Sequence, residues 1–150
     1  MITDPVLLRI GAAAQLRHQG DTDAAIAAFT ELWHEISEGD ADPLHLCTLA
    51  HSMADAQDDV EQELAWDLRA LAAAERLTDE RMAASGVELS VAGLYPSLHL
   101  NLCECYRKLG DLERAREHLR QAEESVGALG DDAYGQLIRD GLAKVASQLP

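Results

Sequence analysis

Three observations on this 150-residue chain predict an all-α fold of helical hairpins. Ala, Leu, Glu, Arg and Gln, all good helix formers, dominate it. No stretch sustains the period-2 alternation of a half-buried strand. Residues that cap or break helices, Asp or Thr before most apolar runs and Gly or Pro between runs, recur at spacings of about one helix length.

Asp4 as N-cap and Pro5 at the first helical position open a helix that runs to about Gln19, before Gly20 breaks it. Asp21 caps a second helix to about Ser37. The loop Glu38 to Asp42 leads to Pro43 and a third helix ending near Ala56, and Asp58 or Asp59 opens a fourth through Leu77. Thr78, followed by Asp79 and Glu80 where the helix dipole favours acids, opens a fifth. Its apolar stripe, Ala84, Val87, Val91 and Leu94, predicts one inserted helix over 79–95. Pro96 then restarts or kinks the chain into a helix ending at Leu109. Asp111 opens the next, to about Val126, and Asp131 or Asp132 opens a last one bearing Tyr134, Leu137, Ile138, Leu142, Val145 and Leu149.

The chain is also self-similar. Leu16-Arg-His-Gln-Gly-Asp-Thr-Asp-Ala-Ala25 and Tyr106-Arg-Lys-Leu-Gly-Asp-Leu-Glu-Arg-Ala115 both place Gly-Asp at the turn, an apolar residue four before the Gly and Ala five after it. His99-x2-Leu102-Cys103-x2-Tyr106 with Ala115-x3-Leu119 is one copy of a longer pattern. Arg9-x2-Ala12-Ala13-x2-Leu16 with Ala25-x3-Phe29 is another, and Leu46-x2-Leu49-Ala50-x2-Met53 with Leu64-x3-Leu68 a third, its turn two residues longer. This pattern resembles the tetratricopeptide repeat. The resemblance implies a single solenoid-like domain over 1–150, with hairpins at about 4–38, 43–77 and 96–128, the insert at 79–95 and a capping helix at 131–149. It departs from the family in lacking the Pro near each repeat end and in the 90-residue step from Ala13 to Cys103, which accommodates the insert.

The resemblance further implies a concave groove lined by the first helix of each hairpin. Carried onto this chain it assigns Leu7, Ile10, Arg17 and His18 from the first copy, Cys47, His51 and Asp55 from the second, and Leu100, Glu104, Arg107 and Lys108 from the third. The expected surface has an apolar floor and a basic end suited to a carboxylate of a peptide or acidic ligand. Arg17, Arg107 and Lys108 also stand where cations support helix C-termini. Trp33 and Trp66 fall on second helices, outside the groove, where core packing, contact with the insert or a homodimer interface can use them.

Charge narrows the partners. With 27 acidic and 12 basic residues the net charge is −15, which repels phosphate backbones and anionic lipid, so neither nucleic acid nor membrane is expected. Residues 1–77 carry 4 Lys or Arg against 15 Asp or Glu, and residues 78–150 carry 8 against 12. The start, MITDPVLLRIGAAAQ, has no basic n-region, and no apolar run reaches membrane-spanning length, which points to the cytoplasm. Arg outnumbers Lys ten to two and there is one Asn, a usage pointing to a bacterial genome.

Catalytic and metal readings find little to build on. Cys47, Cys103 and Cys105 are three thiols without framework spacing, as in a reducing compartment. Cys47/His51 and His99/Cys103 are i, i+4 pairs, but the repeat sends one pair to the groove and the other to the packing seam, so no metal is expected. Cys47 with His51 lacks an orienting carboxylate, Glu31-Leu-Trp-His34 lacks the paired copies of a di-iron bundle, and no phosphate loop or nucleophile elbow occurs. The expected function is a non-catalytic protein- or peptide-binding scaffold without cofactor. The alternative is a ligand-sensing domain whose insert covers a small-molecule or peptide pocket.

Overall fold

The structure, a computed structural model, describes residues 1–150. It is all-helical, with eight α-helices and one 3-10 turn. They are α1 (Pro5–His18), α2 (Thr22–Ile36), α3 (Pro43–Asp55), α4 (Val60–Ala74), α5 (Asp79–Ala84), α6 (Val91–Lys108), α7 (Leu112–Ser125) and α8 (Ala133–Gln148), with the 3-10 turn at Val126–Ala128. No helix is long and apolar enough to cross a membrane. The chain divides into two compact units, Met1–Glu88 and Leu89–Pro150.

In the first unit α1 packs on α2 and α3 on α4, with further contacts from α3 to α1 and α2. The buried positions of α2, Ala25, Phe29 and Leu32, keep the i, i+4, i+7 spacing of one helix face, and Leu7, Ile10 and Ala13 do the same on α1. In the second unit α6 packs on α7, and α8 covers both with Ile138, Leu142 and Val145. Leu129, Ile138 and Leu142 form one buried cluster with Ala122, and Cys103, Ala115 and Val145 form another.

The two best sequence copies share one turn. After α1 the Gly20 amide donates to Arg17 O at 3.0 Å and the Asp21 amide to Leu16 O at 2.9 Å; after α6 the Gly110 amide donates to Arg107 O at 3.1 Å and the Asp111 amide to Tyr106 O at 2.9 Å. Both glycines sit at positive φ, +90° and +83°, which a side chain would resist. Asp21 and Asp111 then cap the following helices through the amides of Ala24 and Arg114. Each Gly-Asp pair thus closes one helix and opens the next. The middle turn has no such glycine: the Ala56 amide donates to Met53 O and that of Gln57 to Ala54 O, a looser connection that takes up the two extra residues.

The inserted helix expected over 79–95 does not form as one element. Thr78 caps α5 as its side chain predicts, accepting from the Arg81 amide, but α5 lasts six residues. Gly86 stops it at φ +84°, with its α-carbon so near the Met1 carbonyl that a Cβ would collide with it. Ser90 then caps α6 through the Gly93 amide at 3.1 Å, so Val91 and Leu94 belong to α6 and the stripe is split between two elements. Pro96 lies inside α6 without ending it. As the sixth residue of the helix it has no N–H to offer the Ala92 carbonyl, so α6 continues through it with one ladder bond missing. The boundary between the compact units falls inside this segment.

Candidate binding site

The groove residues implied by the repeat fall into two groups. Leu7, Ile10 and Cys47 are closed to solvent, at 8%, 2% and 5% exposure, and Leu100 packs against α8, with a Leu100 methyl under Gly141. An open apolar floor is therefore not available from these four: the side chains are consumed in helix packing, the cheapest use of apolar area. The polar members stay nearer solvent. Arg17 and His18 form the last turn of α1, His51 and Asp55 approach to 3.8 Å along α3, and Arg107 and Lys108 close α6. Arg107 Nη2 donates to Glu104 Oε2 at 3.0 Å, while its Nε stays buried without a partner.

A polar cluster in the first unit joins residues that the sequence presents only as caps. Asp4 caps α1 through the amides of Val6 and Leu7, and Asp42 caps α3 through that of Leu44. Their outer carboxylate oxygens meet Arg81 of α5, whose Nη2 lies 2.6 Å from Asp42 Oδ2 and 3.2 Å from Asp4 Oδ2. His45 Nε2 lies 2.8 Å from Asp4 Oδ2. Burial pushes the Asp4 carboxyl upward, but the His45 hydrogen bond and the two amides outweigh it and hold the group at about 2. Asp42 is likewise held down, burial being outweighed by Arg81 and the Leu44 amide. Asp4, Asp42 and His45 are close enough to suggest a cation site, and Arg81 fills it. Arg81→Ala leaves two converging carboxylates without their cation and is expected to lower stability by about 1–2 kcal/mol. Chemical denaturation followed by tryptophan fluorescence measures this, since both tryptophans lie in residues 1–88.

In the second unit four rings stack in a row, Tyr95 on His99, His99 on His118 and His118 on Tyr106, at centroid distances of 5.9, 5.2 and 5.4 Å. The two imidazoles face each other through their Nδ1 atoms at 3.0 Å, so in the neutral pair one Nδ1 donates and the other accepts. Burial chiefly, then the neighbouring His118, pushes His99 down to about 4, against the opposing pull of Glu117. His118 is lowered by burial as well. Beside this row lies an open pocket of ≈ 610 Å³, walled by Ala92, Tyr95 and His99 of α6 and by Gln121, Glu124 and Ser125 of α7. Tyr95 supplies an apolar face, and His99 and Gln121 add hydrogen-bonding groups.

Sequence reasoning assigned His99 to the packing seam and passed over His118. The nineteen residues between them hide the pairing, which depends on α6 and α7 lying antiparallel. The thiols are committed elsewhere: burial holds both Cys47 and Cys103 protonated, raised to about 11. Comparison with family models, curated proteins and solved structures finds no match to this chain.

Proposed function

We propose that this chain is a non-catalytic, tetratricopeptide-like helical-hairpin module that binds a protein or peptide segment. The observation that carries the reading is the pocket beside the Tyr95–His99–His118–Tyr106 row. It offers an aromatic wall and a few hydrogen-bonding groups, the mixture that seats one side chain of a ligand. The absence of a match leaves the repeat reading resting on the shared Gly-Asp turns and the packed helix pairs. The reactive-residue candidates favour binding over catalysis, because the raised thiols are poor nucleophiles and the two imidazoles occupy each other's Nδ1 atoms.

A second reading, ligand sensing, has its own support: Ala92 and Tyr95, from the segment the sequence sets apart as an insert, line this pocket. One variant tests both. Ala92 is exposed, so Ala92→Trp fills the pocket with little effect on stability. Peptides selected from a displayed library on the wild-type protein should bind the variant roughly tenfold or more weakly. Unchanged affinity for every selected peptide removes the pocket from recognition. A small mass retained by the wild-type protein from its own host, seen in native mass spectrometry and absent from Ala92→Trp, favours sensing instead.

A further inference from the structure

Residues 1–88 contain 18 acidic and 5 basic side chains, so the disposition of each cation is informative. Arg9 pairs with Glu35 at 2.7 Å and Arg81 with Asp4 and Asp42; Arg17 ends α1. Arg69 and Arg76, exposed and outside any carboxylate ion pair, both line one pocket of ≈ 330 Å³. Trp33 and Leu46 form apolar parts of its wall. In so acidic a unit, two unneutralised guanidiniums on one aromatic pocket are unexpected from surface packing alone.

Arg69 also meets an aromatic ring beside this pocket. The Arg69 guanidinium lies over the Trp66 ring, 4.2 Å from its centroid, and Trp66 meets Trp33 edge-on, with centroids 4.9 Å apart and planes at 89°. The ring contact is a cation–π contact and consumes no hydrogen-bond acceptor, and no carboxylate pairs with Arg69, so its N–H groups remain to receive one. Arg76 lies in the turn just past the end of α4, its amide donating to Ala73 O at 3.0 Å, and lines the same pocket as Arg69, so it adds a second positive group there.

We propose that this pocket binds a small monoanionic carboxylate with an aromatic or branched apolar body. The carboxylate meets the Arg69 edge within reach of Arg76, and the body lies against Trp33 and Leu46. The pocket's size is at the lower end for small-molecule sites, about 300–1,000 Å³. The surrounding charge sets the ligand's valence. A chain of −15 repels every additional negative group, so an acidic peptide or nucleic acid meets more repulsion than a single carboxylate does.

The test uses the full chain and 3-phenylpropionate as probe. Because Trp33 and Trp66 are the only tryptophans, their fluorescence and indole N–H resonances report on this site. Saturable binding is expected, weaker by roughly tenfold to a hundredfold for the neutral 3-phenylpropanol and for the double variant Arg69→Gln/Arg76→Gln. Ligand-observed NMR supplies a readout independent of the indoles, since Arg69→Gln alters Trp66 emission directly. Equal binding of acid and alcohol, an unchanged affinity in the double variant, or no saturation overturns the proposal. So does tighter binding of a short peptide with two acidic residues, which would make the occupant a peptide. Ala92→Trp should retain phenylpropionate binding, so failure here and failure of the α6–α7 pocket are told apart.

Discussion

Phe29→Ala is expected to destabilise residues 1–88 by about 3–5 kcal/mol, the range for removing a fully enclosed aromatic ring. Phe29 is the only phenylalanine, has 0% exposure and sits between Ala25 and Leu32 on the buried face of α2. Close-packed surroundings relax only in part into the space left, so the loss combines transfer free energy with a cavity. With whole domains stable by only about 5–15 kcal/mol, the variant should unfold at markedly lower denaturant. Tryptophan emission follows the first unit, and the three tyrosines all lie in residues 89–150 and follow the second. A shift below about 1 kcal/mol would show that Phe29 is not the packing centre of its helix pair.

Acid should weaken the second unit through His99. Its pKa falls from an ordinary 6.5 to about 4 in the fold, so the folded state prefers the neutral ring. The corresponding stability is fully present above about pH 6.5 and is lost as pH falls from there through about 4. Between those limits the loss amounts to at most about 3.5 kcal/mol, at about 1.4 kcal/mol per pKa unit. The groups facing the imidazole set this window: His118 disfavours a second charge, Glu117 partly favours one, and the Tyr95 and Tyr106 rings flank the pair while Glu124 stands on the pocket wall. Carboxylates also titrate near the lower end, so the decisive quantity is the difference between wild type and His99→Phe. The variant should show a flatter stability profile from pH 6.5 to 4. An NMR titration placing His99 near 6.5, or identical profiles for the two proteins, contradicts the assignment.

Much of the secondary structure was legible because its causes are local. Asp4 with Pro5, Asp21, Thr78 and Asp111 open helices where their side chains predict, since a cap needs only the amides two or three residues on. The Gly-Asp turns were legible for the same reason, and they were legible twice. The insert was misread because a periodic stripe says nothing about whether the backbone between its members is free to continue; at Gly86 the nearby Met1 backbone and a positive φ end the helix. The polar end residues of the implied groove were placed on the right helices, but periodicity alone does not say whether an apolar residue faces a groove or a neighbouring helix. Leu7, Ile10, Cys47 and Leu100 turned out to be packing residues.

Outside residues 79–95, the sequence by itself determined the helices and most of their caps, together with the repeated turn and the acidic balance, all of which follow from interactions within a few residues or from composition. Only the tertiary structure decided which distant groups meet. Arg81 bridges Asp4 and Asp42 across 77 and 39 residues, His99 finds His118 across 19, and Trp33 meets Trp66 at right angles from another helix pair. Such meetings depend on how helix axes pack, a property of summed apolar contacts over many side chains, and no short segment of the chain encodes it.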